Sequence, residues 1–156
     1  MSRLSILFIT LFLGGVYMVA LSTTDKAQIE TPSVYALTYA HSDSLLAQSI
    51  ERGKNVYMAN CLSCHMTNGE GIQGAFPPLA KSDYLMADSL RAIRVAMYGQ
   101  SDEITVNGVK YHSPSPSLNH LSDKQLADVL NYIRNSWGNK GGMITPEIVG
   151  NQRKEE

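Results

Sequence analysis

The sequence predicts a mainly α fold, a few helices interrupted by one small β-hairpin. Three observations predict it. Residues 122–138 place Leu126, Val129, Leu130, Ile133 and Trp137 on one apolar stripe at helical spacing. Residues 43–60 repeat Ile50, Gly53 and Tyr57 at the same period, continued by Cys61. Asn107-Gly108 sits between two short β-type runs, the strongest hairpin signal that a sequence offers.

Taken in order, the chain opens with "MSRLSILFITLFLGGVYMVALS", where Arg3 is the only charge before an apolar run from Leu4 to Leu21. Residues 1–22 read as a signal peptide, with small residues at 20–22 for cleavage, or as an uncleaved membrane anchor, since the run nearly reaches the ~20 residues that span a bilayer. No cysteine lies near residue 20 to carry a lipid. Either reading places the rest of the chain in the periplasm or on the outer face of the cytoplasmic membrane. Residues 23–43 mix polar and apolar positions without period and read as a linker, with a short ordered piece at 34–39.

Residues 44–138 read as one domain. Its first helix takes Asp43 or Ser44 as cap, and Gly53 in its interior points to close packing by another helix, because a helical glycine otherwise costs about 1 kcal/mol. A middle helix spans Ser89 to Tyr98, with Leu90, Ile93 and Met97 on one face and Gly99 at its end. The last helix begins at Ser122, which forms a capping box with Gln125 while Leu121 staples onto Leu126; Gly138 is its stop. Residues 139–156 form a tail in which Thr145-Pro146-Glu147 reads as the start of a short helix. Thirteen Lys and Arg stand against 14 Asp and Glu, so nothing is basic enough to suggest nucleic acid.

The chemistry is concentrated in "NCLSCHM". It holds both cysteines of the chain, and Cys61-x-x-Cys64-His65 is the c-type haem attachment spacing. Residues three and four apart on a helical turn share a face, so two thiols and one imidazole can address a single flat ligand. The thiols add to the vinyl groups and the imidazole coordinates iron. Other readings of a bare C-x-x-C are weaker. A thioredoxin-like pair expects a βαβ context that is missing from the pattern. Half of a zinc site would need a closely spaced histidine pair, which His41, His112 and His120 do not supply. A disulfide closing two intervening residues would constrain the unfolded chain very little.

From Gly53 to "LSDKQLADVLNYIRNSWGN", through "CLSCH" and "GAFPPLAKSDYL", residues 46–138 resemble a class I single-haem cytochrome c. "SDYLMADS" and "ITVNGVKYH" resemble more narrowly the small cytochromes that feed terminal oxidases or copper nitrite reductases. The resemblance implies the class I fold around one covalent haem c. It implies thioethers from Cys61 and Cys64, His65 as axial ligand, and the Pro77 carbonyl as acceptor for the His65 N–H, a bond that fixes tautomer and basicity. Read without the resemblance, Pro77 is a rigid turn.

In one respect the sequence departs from that family. The second axial ligand there is usually a methionine before a proline; anchored on Tyr111 and His120, that position is Ser115, before Pro116. A hydroxyl is a poor ligand for haem iron. His112, three residues upstream, is the most economical replacement, or it is an ordinary surface histidine. His41 lies in the linker and His120 at a helix start; Met58 and Met66 flank the motif, Met97 is on an apolar face, and Met143 is in the tail. Two functions follow. A closed iron makes a one-electron carrier, and an open one a protein that binds NO, CO, O₂ or peroxide, with Ser113, Ser115 and Ser117 as donors nearby. A third reading, a haem docking subunit of a respiratory complex, draws on the anchor and tail. No positioned acid–base pair suggests an enzyme.

Overall fold

A computed structural model describes residues 34–154; the leader and the first part of the linker lie outside the described residues. The elements are α1 (Val34–Asn60), α2 (Leu62–His65), α3 (Asp83–Ala87), α4 (Ser89–Tyr98), β1 (Ile104–Val106), β2 (Val109–Tyr111), α5 (Asp123–Ile133) and α6 (Pro146–Lys154). Among the described residues no helix is long and apolar enough to cross a membrane.

The first helix begins well before its expected caps. Asp43 and Ser44 lie inside α1, so the described helix runs through the boundary expected at residue 43. Their neighbourhood shows why they do not stop it. Ser42 Oγ bonds the Tyr39 carbonyl oxygen at 2.8 Å and Ser44 Oγ accepts from Gln48 Nε2 at 3.3 Å, so these hydroxyls are spent along the helix rather than at its end.

Helix α5 has its expected start. Ser122 Oγ accepts from the Gln125 N–H and Gln125 Oε1 accepts from the Ser122 N–H. It ends earlier than expected, at Ile133, because side-chain amides take two of its last carbonyls: Asn135 Nδ2 donates to Asn131 O and Asn139 Nδ2 to Ile133 O, both at 2.9 Å. Trp137 is therefore off the helical stripe, yet it still joins Tyr57 and Tyr132 in a cluster with ring centroids 5.1–5.4 Å apart.

Helix α4 has the expected span, with Asp88 accepting from the Leu90 and Arg91 N–H groups. Ile93 and Met97 are fully buried, whereas Leu90 is exposed and Ala92 takes the inward position. The hairpin pairs Ile104 with Tyr111 and Val106 with Val109. Asn107 and Gly108 have φ of 51° and 79°, the positive pair that matches strand twist in a two-residue turn. Two reciprocal bonds between Asn107 and Asp83 tie the hairpin to α3.

The core is built where α1 crosses α5. Tyr57, Leu126, Val129 and Leu130 are buried there, together with Ile93 and Met97 of α4. A Cβ on Gly53 would lie 1.9 Å from the Asp128 carbonyl oxygen, so only glycine permits this approach. Beside it the Asp128 carboxylate accepts from Ser49 Oγ at 2.6 Å, from Arg52 through two bonds at 2.8 Å and from Lys124 at 2.8 Å. Burial alone would raise this carboxyl; the bonds from Arg52, Lys124 and Ser49 outweigh it and hold the group below its ordinary value.

The tail is part of the same core. Ile144 and Val149 are buried, α6 packs on α4 and α5, and Asn131 clamps Ile144 by donating to its carbonyl and accepting from its N–H, both at 2.8 Å. The boundary expected at 138 is thus not a boundary of the packed body.

Two measurements check the helix crossing. Gly53→Ala should lower stability by about 1–3 kcal/mol despite alanine's better helix propensity, since overpacking separates the helices; a denaturant midpoint equal to wild type would contradict the close approach. Asp128→Asn should cost about 1–3 kcal/mol at neutral pH, mainly through the buried Ser49 hydroxyl, because Arg52 is half exposed. The depressed carboxyl stabilises the fold above about pH 4 and loses that effect as pH falls through its folded-state value. The gap between variant and wild type should therefore close on acidification.

Candidate functional site

The last turn of α1 delivers the attachment motif. Cys61 N–H still bonds the Tyr57 carbonyl at 2.8 Å, and the Cys61 carbonyl in turn accepts from the N–H groups of Cys64 and His65 at 3.2 and 2.9 Å. Cys61, Cys64 and His65 are thus wound on one turn and line one crevice. Tyr57 Oη, donating to the Met66 carbonyl at 2.6 Å, pins the exit of that turn to the aromatic cluster. Burial pushes the Tyr57 phenol upward, so it stays a donor.

His65 Nδ1 lies 3.0 Å from the Pro77 carbonyl oxygen. A carbonyl can only accept, so Nδ1 carries the proton and Nε2 keeps its lone pair. Burial lowers the His65 pKa, only partly offset by the Pro77 bond, which favours the neutral, ligating form. Both thiols are free, and burial, with a smaller contribution from Cys64, pushes Cys61 up to about 11.

The crevice encloses about 1080 Å³ of empty space, its open mouth included, at the upper end of small-molecule sites. Its floor and walls are mainly apolar: Leu85 and Val95 from α3 and α4, Ile104 and Val106 from β1, Leu130 and Ile133 from α5. The residues fit a large flat apolar group held at one edge by two thiols and from one face by an imidazole. That fit matches haem rather than a hydrated ion.

The remaining wall is made by residues 113–116 and the turn after α4. Ser115 and Gln100 bond each other through both backbone groups, at 2.7 and 3.2 Å, which ties the segment that carries Ser115 to the turn after α4. Ser113 and Ser115 line the crevice; Ser117 does not, its Oγ donating to the Met97 carbonyl at 2.6 Å.

Of the two places open to His112, the described residues show the surface one. Tyr111 faces the core, and the next residue along an extended chain faces the other way. His112 accordingly stands in solvent with Nε2 3.0 Å from Glu103 Oε2, a carboxylate also paired with Lys110, and it does not line the crevice. His41 and His120 are exposed, Met97 is core, and Met58 and Met143 are at the surface. Sequence reasoning passed over Tyr84 and Gln100, which do line the crevice and bond each other. Position after a helix-ending glycine was the only signal for Gln100.

A family model described as "Cytochrome c" matches residues 50–137. A cytochrome c-552 of Thermus thermophilus is 41% identical over 97 residues, 60% of this chain and 65% of that protein. The cytochrome c subunit of the quinone alcohol dehydrogenase of Gluconobacter oxydans is 36% identical over 88 residues, 56% of this chain but 18% of the subunit. The cbb3-type cytochrome c oxidase subunit FixP of a Bradyrhizobium species is 37% identical over 87 residues, 54% of this chain and 26% of that subunit. The chain spans under two thirds of the first of these and about a quarter or less of the other two. A mostly helical body, one small hairpin and an apolar crevice behind a Cys-x-x-Cys-His turn agree with these matches: the chain belongs to the cytochrome c family, as a class I domain with one covalent haem c.

Proposed function

We propose that this protein carries single electrons for a respiratory redox enzyme on the outer side of the cytoplasmic membrane, with Cys61 and Cys64 as the thioether sites and His65 as an iron ligand. The observation that carries the reading is the His65 Nδ1 to Pro77 bond, which leaves a neutral imidazole with one free lone pair on the wall that both thiols share. Bound there, haem supplies a one-electron ferric–ferrous couple. Pro77 holds the imidazole tautomer and raises its basicity, while Leu85, Leu130 and Ile133 keep water from the crevice interior. The exposed mouth near the attachment turn is the route for electrons in and out.

Relatives named as subunits of a quinone dehydrogenase and of a cbb3-type oxidase support a respiratory partner. A terminal oxidase or a copper nitrite reductase is the proposed acceptor. Export through the leader at 1–22, cleaved or retained as an anchor, fits the compartment in which such haem is attached. His112 belongs in this proposal to the surface, with Glu103.

Cys61→Ser with Cys64→Ser should abolish denaturation-resistant haem staining while His65→Ala keeps the covalent group and changes its spectrum. The haem-loaded protein should titrate as a single one-electron couple. A covalent haem that neither reduces nor reoxidises reversibly would sink the carrier reading. His112→Ala should leave the absorption spectra of both oxidation states unchanged.

A further inference from the structure

Apart from His65, the crevice wall has no imidazole and no thioether among the described residues. Besides the two thiols, the anionic donor types on that wall are Tyr84 and Asp102, whereas serine hydroxyls and a carboxamide are poor ligands for haem iron. Tyr84 is committed, because its Oη donates to Gln100 Oε1 at 3.1 Å and its ring lies under the Arg91 guanidinium, 3.9 Å from the centroid. Asp102 is exposed at the rim. The segment that would have to bring in a strong ligand from elsewhere is fixed by the two backbone bonds between Ser115 and Gln100.

One donor on this wall is left over. Gln100 lines the crevice, its backbone is held by Ser115, and its side-chain oxygen Oε1 accepts from Tyr84 Oη. The amide Nε2 then presents two N–H bonds with no acceptor among the described residues. An oriented, half-buried amide donor beside an apolar cavity suits a small acceptor-bearing ligand and suits no apolar occupant.

We infer that the crevice binds a small exogenous diatomic haem ligand of the CO and NO class, and that Gln100 Nε2, oriented by Tyr84, donates a hydrogen bond to it. The inference rests on haem attachment at Cys61, Cys64 and His65. Outer-sphere electron carriage does not require a sixth protein ligand, so the two properties can coexist. Gln100 recognises the ligand and Tyr84 is a positioning residue. Serines 113 and 115 shape the wall.

The test uses full-length, haem-loaded protein, reduced, with CO as probe. Covalent haem is first verified by mass. The expected result is a rapid, complete absorption change on adding CO. Gln100→Leu should raise the C–O stretching frequency and speed CO dissociation roughly three- to tenfold, the factor for one hydrogen bond of ordinary net strength. Tyr84→Phe should shift the frequency in the same direction by less, because it frees the amide without removing it. Covalent haem with no response to CO would overturn the inference and leave the carrier reading standing. A CO complex with the same stretching frequency and dissociation rate in Gln100→Leu would overturn the role of Gln100. Absence of covalent haem from the wild type would overturn both readings.

Discussion

The contact on which the rest of the structure depends is the crossing of α1 and α5 at Gly53. Without a side chain at that point the two backbones meet, and the Asp128 carbonyl occupies the space where a Cβ would lie. The approach brings the Asp128 carboxylate onto Ser49 and Arg52 of the opposite helix, and it brings Tyr132 against Tyr57 one turn further on. The ion pairs are partly solvated and add little by themselves. What gives the crossing its weight is burial of Leu126, Val129 and Leu130 together with a carboxylate whose lone pairs are all used.

The site follows mechanically from that crossing. Tyr57 lies on α1 one turn before Cys61, and its hydroxyl reaches past the motif to the Met66 carbonyl. The cysteines and His65 are therefore set relative to α5, which also supplies Leu130 and Ile133 to the crevice. The orientation of the His65 imidazole is then refined by a single carbonyl, that of Pro77. The far wall belongs to a different part of the chain, where the Ser115 and Gln100 bridge closes the turn after α4. The two sides of the site thus rest on different parts of the chain.

The tail illustrates how a polar-looking segment becomes structural. Asn131 is fully buried, and its amide is satisfied by Ile144 and Ser49, so a side chain that would be costly alone instead ties the C-terminal segment to both main helices. Val149 then fills the space between α4, α5 and α6.

By itself the sequence determined what is local and periodic. The Cys61, Cys64 and His65 spacing is a property of one helical turn. The Ser122 and Gln125 box, the Asn107-Gly108 turn and the α4 span rest on backbone groups a few residues apart, and the α5 stripe is read from 3.6-residue periodicity. Gly53 announced a close approach because a glycine inside a helix otherwise only costs stability relative to alanine. Tertiary structure alone decided what depends on distant partners. It extended α1 through residues 43 and 44, whose hydroxyl neighbours bond along the helix. It ended α5 at Ile133 because asparagine amides cap its carbonyls, and it packed the tail through Asn131. It sent His112 to solvent and Gln100 to the crevice, since the direction of a side chain is fixed by which neighbour along the chain faces the core, and that is settled only when the helices and the hairpin come together.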